Sequence, residues 1–339
     1  MKNKTLMILG PTATGKTDLA LRLASSFDSL RTNLAQGEIV SCDSRQVYVG
    51  LDIGTGKIPS TKFQITKSKS FWEVDGIKVW MYDVVSPKIQ YTVADYVKDA
   101  DKVIEEILDR GKLPIIVGGT GLYLKGLIYG LSNLVVPLDL LLRKKLEKYS
   151  KEKLQNKLKK EDLNRWEKMN RSDRENPRRL VRAIELSLAS LRGAERRSNL
   201  IRSPFGGRND VLRIGLTAPR EVLYKRVDDH VVNRLNQGMI DEAKNLHKKG
   251  LSLARMRQLG LEYGVLAEYL SGKIREIKGD RGLIKIIQNK IHGFVRRQLT
   301  WFKKEKDVTW FDITDKNFPE NVEKLVSKWY YASDAAKKS

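Results

Sequence analysis

Short runs of consecutive apolar residues alternate with stretches in which apolar residues recur every three or four positions. The runs are LMIL (6–9), EIVSCD (38–43), IKVWMYDVV (77–85) and LPIIVGG (113–119), each with β-branched residues and bounded by Gly, Pro or Asp, as buried strands are. Between them, GKTDLALRLASSF (15–27) and VADYVKDADKVIEEILDRG (93–111) each carry one apolar helical stripe, and the second ends in Gly111, suited to close a helix. Strands alternating with helices predict a parallel α/β sheet. After Pro137 the pattern changes: the chain becomes almost all helix-forming, highly charged and poor in β-branched residues until the turn-rich SPFGGRND (203–210). That segment predicts a helical insertion. VLRIGLTAP (211–219) reads as a strand returning to the sheet, followed by helices to about Trp301, a short strand VTWFDI (308–313) and a last helix.

Composition sharpens this picture in two ways. The 339 residues are 41% hydrophobic, enough for a sizeable core, and carry a net charge of +23 that is unevenly spread. Residues 1–136 hold +3, residues 137–212 hold +10 and residues 213–339 hold +10. A basic excess in the later parts of the chain is the pattern expected for a protein that grips a polyanion, nucleic acid first among them; a generally Lys-rich surface is the other reading. With one cysteine, Cys42, and three histidines, neither a disulfide framework nor a Cys/His zinc site can be assembled. Cys42 reads as a small buried strand residue, and His247 and His292 as ordinary helix residues. No run of 18 apolar residues occurs, and MKNKTLMILG is too short in its apolar part for a signal peptide, so a soluble, cytoplasmic chain with no membrane association is expected.

The strand LMIL runs directly into GPTATGKT (10–17), which fits G-x-x-x-x-G-K-[ST]. In such a loop Gly10, Pro11, Thr12, Ala13, Thr14 and Gly15 turn backbone N–H groups around phosphate oxygens, Lys16 adds a point charge, and Thr17 offers its hydroxyl to Mg²⁺ at a helix N-terminus. The motif recognises a diphosphate and leaves kinase, GTPase and transferase chemistry open. The predicted fold class is therefore α/β, a P-loop NTPase-like parallel sheet flanked by helices (1–136 and 211–332) with an inserted all-helical domain (137–210) and a polar tail (333–339).

Asp43, at the end of the second apolar run, stands where a carboxylate can accept a proton from an attacking hydroxyl or amine, or can simply cap a turn. GGTGLYLKGL (118–127) again follows an apolar strand, and Thr120 brings a hydroxyl to the same sheet edge, either as a second anion contact or as part of a plain strand-to-helix turn. In RRQLTWF (296–302), Arg297 and Gln298 can approach a polyanion, whereas Leu299, Trp301 and Phe302 read as core packing.

GPTATGKT, SCDSRQVYVGLDIGTGK, YDVVSP, VGGTGLYLKGL, NPRRLVRAIEL, GLTAPREVLYKRV, QLGLEY and RRQLTWFKK, in this order over nearly the whole chain, resemble the tRNA dimethylallyltransferase family, the isopentenyl transferases that modify adenosine beside the anticodon. The resemblance implies that the P-loop holds dimethylallyl diphosphate, with Mg²⁺ beside Thr17, and that Asp43 takes a proton from the exocyclic amine of the target adenine while Thr120 contacts the leaving diphosphate. It further implies contacts to a tRNA anticodon stem-loop by Asp43, Ser44, Arg45, Gln46 and Thr120, by Arg143, by Arg178, Arg179, Leu180, Val181 and Arg182, and by Arg257, Gln258 and Gly260. For the arginines a solvated helix face is the alternative. A monomer is expected. The chain departs from the family in having His230 where an arginine reaches the diphosphate; Arg234, one turn on, shares that helix face. It also has Leu261 and Glu262 where many members have Tyr and Arg, and it lacks a C-terminal zinc finger. A related transferase acting on free adenine nucleotides would not need the basic insertion, and a P-loop ATPase or kinase would need an adenine pocket.

Overall fold

The computed structural model describes residues 4–29, 37–58, 62–130, 139–191 and 210–335. Among them eight strands form one sheet: β1 (Lys4–Leu9), β2 (Gly37–Ser41), β3 (Ile65–Lys67), β4 (Phe71–Val74), β5 (Ile77–Trp80), β6 (Leu113–Gly118), β7 (Asp210–Thr217) and β8 (Thr309–Asp312). Their spatial order is β3-β4-β5-β2-β6-β1-β7-β8, parallel from β5 through β8, with β3 and β4 added antiparallel at one edge. All six residues of β1 are buried, as a strand with parallel neighbours on both sides requires; Ile8 lies level with Val117 on one side and Ile214 on the other.

The run IKVWMYDVV yields a shorter strand than its hydrophobicity predicts. Pairing stops at Trp80 because Met81 (φ 66°) and Asp83 (φ 55°) turn into the left-handed region, and Val85 returns only for a single bridge to Tyr48. The β3–β4 hairpin, by contrast, is not visible in the apolar pattern. Its strands are three and four residues long and half exposed.

The chain forms two compact units, Met1–Leu127 with Gly207–Ser339, and Ile128–Gly206. In the first unit, α1 (Lys16–Ser29) and α14 (Glu320–Ala335) cover one sheet face, burying Leu19, Leu23, Val322 and Val326 against Ile8, Ile39 and Ile115. α2 (Val93–Asp109) buries Tyr96, Val97, Ala100, Ile104 and Ile107; a reciprocal box between Thr92 and Asp95 starts it, and Gly111 (φ 72°) follows its end. The first unit also holds α9 (Arg220–Asn236), α10 (Met239–Lys248), α11 (Leu253–Leu259), α12 (Leu261–Leu270) and α13 (Leu283–Phe302). α3 (Gly121–Tyr129) follows β6. The final helix runs on through Ser333 to Ala335, so the expected polar tail begins inside it and otherwise lies outside the described residues.

The second unit is helical. Its described part comprises α4 (Leu140–Leu146), α5 (Lys151–Glu161), α6 (Leu163–Lys168), α7 (Arg171–Arg174) and α8 (Pro177–Leu191). Asp139, Ser150, Asp162 and Asn170 each accept a backbone N–H at the start of one of the first four, which is how so charged a sequence breaks into short helices. Leu146, Leu154, Leu158, Leu180, Val181, Ala183 and Ile184 form its core. The turn-rich residues 203–209 lie outside the described residues.

Candidate active site

Because β2, β6 and β1 are adjacent and parallel, the loops at their carboxyl ends meet: Asp43, then Gly119–Thr120, then Gly10–Gly15. Gly10 has φ 146°, and a Cβ there would fall 2.4 Å from the Leu216 carbonyl oxygen of β7, so the cradle can begin only on glycine. Ala13 (φ 69°) and Gly15 (φ 78°) complete the inward turn of the backbone. Inside the loop the Thr14 hydroxyl donates to the Pro11 carbonyl (2.9 Å), and the Lys16 ammonium donates to the same oxygen (2.6 Å). Burial lowers the Lys16 pKa to about 8, while the Asp43 carboxylate opposes that fall. The lysine and the carboxylate therefore sense one another across the site.

Asp43 Oδ1 accepts the backbone N–H of Arg45 (2.8 Å) and, more loosely, of Gln46 (3.4 Å). This holds the turn after β2 and leaves Oδ2 without a hydrogen bond among the described residues. Thr120 Oγ1 accepts the N–H of Ser44 (3.1 Å), tying the two turns together, and Thr120 itself is not among the residues lining the adjoining cavity. Cys42 is buried behind Asp43 with its thiol pushed up to about 12, first by burial, so it is no nucleophile. Gln46 is turned inward: its carbonyl accepts from Ser41 (2.8 Å) and its amide donates to Gly56 O (3.2 Å).

These loops open into a cavity of ≈ 990 Å³. Lys16, Thr17, Asp43, Arg45, His230, Arg234 and Gln298 all line it. On α9, Arg226, His230 and Arg234 stand at four-residue spacing, on one helix face. Arg226 donates to the Ala13 carbonyl of the P-loop (3.3 Å), a contact that the i, i+4 spacing from His230 could have suggested and that sequence reasoning missed. Crowding at the cavity rim, followed by Arg234 and Arg226, holds the His230 imidazole below its ordinary pKa. Arg234 donates to Gly54 O (3.3 Å) and pairs with Glu262 (3.4 Å), so the acidic residue at 262 has a cationic partner on the cavity wall.

The wall contributed by LDIGTGK (51–57) is held by two charged groups. Glu242 of α10 accepts the backbone N–H groups of Asp52 (2.9 Å), Ile53 (2.7 Å) and Gly54 (3.0 Å), and the Tyr263 hydroxyl as well. Burial and then Glu242 push Tyr263 well above its ordinary range, keeping it a donor. Lys57, fully buried, donates to Tyr48 O (2.8 Å), Asp52 (2.8 Å) and Asp83 (2.5 Å), which is why Asp83 leaves the strand pattern. Glu242→Ala strands three backbone donors and the tyrosine; it is expected to lower the unfolding free energy by about 3 kcal/mol in urea titrations, with Glu242→Gln recovering most of the loss.

The sequence profile described as IPP transferase matches residues 46–305. The chain belongs to the IPP transferase family. It is 36% identical to a tRNA dimethylallyltransferase of Acetivibrio thermocellus over 343 residues, 98% of either chain. It is similar to the solved full-length tRNA isopentenylpyrophosphate transferase from Bacillus halodurans, with 31% identity, a TM-score of 0.67 and complete coverage of both chains. A eukaryotic dimethylallyltransferase solved acting on tRNA shares the fold, with 22% identity and a TM-score of 0.73 over 98% of this chain and 80% of its own.

The remaining candidate residues of this IPP transferase fall into separate groups. In the helical unit, Arg143 is bidentate to the buried Glu185 carboxylate (2.6 and 2.6 Å), and Arg182 joins the same group (3.2 Å). Arg179 pairs with Asp173, while Arg178 is exposed with no side-chain partner among the described residues. Leu180 and Val181 are 0% and 7% exposed and pack in that unit's core, which corrects their expected role as RNA contacts: their side chains shape the helix that presents the arginines. In the first unit, Arg257 pairs with Glu268, Gln258 accepts from Arg255 (3.3 Å), and Gly260 (φ 74°) makes the break between α11 and α12. Gln298 is buried and bridges two loops, and Phe302 is core as expected. His247 bonds Leu251 O (2.9 Å), and His292 sits 2.9 Å from Asp228, as ordinary helix residues do.

Proposed function

We propose that this protein transfers the dimethylallyl group of dimethylallyl diphosphate to the exocyclic amino group of the adenosine 3′-adjacent to the anticodon in tRNA, giving N6-(dimethylallyl)adenosine and diphosphate. The observation that carries the reading is the opening of the P-loop and of Asp43 into one cavity, large enough for an allylic diphosphate and an extruded base. The amine lone pair forms the new bond to the allylic C1 as the C1–O bond breaks, diphosphate leaves with that electron pair, and one amine proton passes to Asp43 Oδ2. Lys16, Arg226 and the P-loop amides take up the negative charge that grows on the leaving group. The depth of the cavity limits the access of water to a carbon that becomes cation-like.

Mg²⁺ fits this arrangement. The chain offers the Thr17 hydroxyl at the start of α1, and no cluster of three metal-ligating side chains occurs among the described residues. Mg²⁺ usually keeps several waters and relies on substrate phosphates more than on a protein cage, so the Thr17 hydroxyl would hold it here. There it would supply charge neutralisation of the leaving diphosphate.

For the RNA, Ser44 and Arg45 stand beside Asp43, and the arginines of the helical unit and the Arg257–Gly260 segment supply cationic and polar groups for phosphates. The protein is taken to act as a monomer on a cytoplasmic RNA substrate; among the described residues no helix is long and apolar enough to cross a membrane. The experiment is transfer of labelled dimethylallyl to an unmodified anticodon stem-loop, beside the same stem-loop carrying inosine at the target position and beside AMP and ATP. Label is expected in the adenosine stem-loop alone. Label in AMP or ATP instead moves the protein to free-nucleotide chemistry, and ATP hydrolysis without any transfer overturns the transferase reading.

A further inference from the structure

The strands hold the roots of the catalytic loops but not their tips. The β1–β6 ladder ends at Leu9 and Gly118, and the β2–β6 ladder at Ser41 and Val117. Beyond those pairs Cys42 and Thr120 continue the contact between the Asp43 turn and the β6 turn through Cys42 N to Val117 O (2.7 Å) and Thr120 N to Cys42 O (3.4 Å). Between the P-loop and the β6 turn, the hydrogen bonds among the described residues run through one side chain. Gln298 of α13 accepts the Thr12 N–H on Oε1 (3.0 Å) and donates from Nε2 to the Gly119 carbonyl (2.9 Å). It is 6% exposed, and a Cβ on Gly119 would fall 2.5 Å from its Nε2 and 3.0 Å from Gly10 O, so the three segments are closed on one another.

We infer that Gln298 is a positioning residue that sets the diphosphate cradle at a fixed distance from Asp43. The inference rests on the transferase reading above. The connection is continuous: Thr12 to Gln298, Gln298 to Gly119, Thr120 Oγ1 to Ser44 N, and Ser44 to the Asp43 turn. At neutral pH a primary amide meets both ends, since one loop presents a donor and the other an acceptor. A carboxylate cannot donate to Gly119, and an apolar chain of the same length satisfies neither loop. The helix that carries Gln298 is itself fixed by Ile287, Ile291, Val295 and Phe302, all buried, so the amide cannot follow a loop that drifts. In a displacement where leaving group and base act in one step, a misplacement near 1 Å costs about 100-fold in rate.

Single-turnover transfer to the stem-loop tests this with Gln298→Met, Gln298→Glu and, as a control for loss of packing at the far end of the same helix, Leu283→Ala. Gln298→Met is expected to lower the transfer rate constant by about 100-fold while the half-saturating stem-loop concentration stays within about twofold, and Leu283→Ala to lower the melting temperature without lowering the rate of folded protein. Gln298→Glu is expected to be impaired at pH 8 and to gain on the wild type as pH falls, because a protonated carboxyl regains a donor; a purely structural defect has no such pH signature. Gln298→Glu carries the test if Gln298→Met does not fold. Wild-type rate in the folded variants, or an unchanged rate with a raised stem-loop requirement, overturns the inference alone. Absence of transfer by the wild type overturns the function and the inference with it.

Discussion

Asp43→Asn is expected to fold, to bind both substrates and to transfer dimethylallyl about 1,000-fold more slowly in a single turnover. The substitution is chosen because it separates the two roles open to this carboxylate. An asparagine keeps an Oδ1 that accepts the Arg45 N–H, so the turn after β2 and its tie to Thr120 survive. What it loses is the ability of the second oxygen to accept the amine proton. If the carboxylate served only the turn, the rate would be nearly that of the wild type, and a rate within threefold would assign the proton to another group. Measuring stem-loop and diphosphate affinities beside the rate keeps a binding defect from passing as a chemical one.

Lys16→Met should weaken binding of inorganic diphosphate by roughly 100- to 1,000-fold, the range in which one preorganised charge acts in a closed site. A pH dependence accompanies it. In the free protein burial brings Lys16 down to about 8, so below that pH it is a cation, and above it the ammonium must regain a proton before it can pair with diphosphate. Affinity of the wild type should therefore fall, relative to the Lys16→Met protein, by up to tenfold per pH unit above about 8 and be level below it. Titration calorimetry in buffers of differing ionisation enthalpy would read the coupled proton uptake directly. Identical pH profiles for the two proteins would place the diphosphate elsewhere.

The parts of the site that sequence reasoning recovers are those whose chemistry is written in contiguous residues. The P-loop is one such stretch, because its φ values and its lysine lie within eight positions of a strand. Asp43 and Thr120 follow the same logic, since each ends an apolar run. What it does not foresee is the distant partner that a side chain finds in the fold. Gln46, on the cavity lining, is tied to Ser41 and Gly56, and Arg143 and Arg182 pair with Glu185. Leu180 and Val181, carried over with their arginine neighbours, share the apolar spacing of Ile184 and fall on its buried face.

The amino-acid order alone determined the alternation of buried strands and amphipathic helices, the phosphate cradle, the charged helical insertion and the carboxylate after β2, because each is encoded by local periodicity or by residues within one turn of backbone. Only the tertiary structure decided that β6 lies between β2 and β1, which brings Asp43, Thr120 and the P-loop to one edge of the sheet. It likewise decided that Arg226 reaches the P-loop, that Glu242 and Lys57 hold the facing wall, and that Gln298, 286 residues from Thr12, joins the cradle to its neighbour. Strand order and long-range hydrogen bonds arise from how separated segments bury one another, and no local pattern records which partner a buried polar group will find.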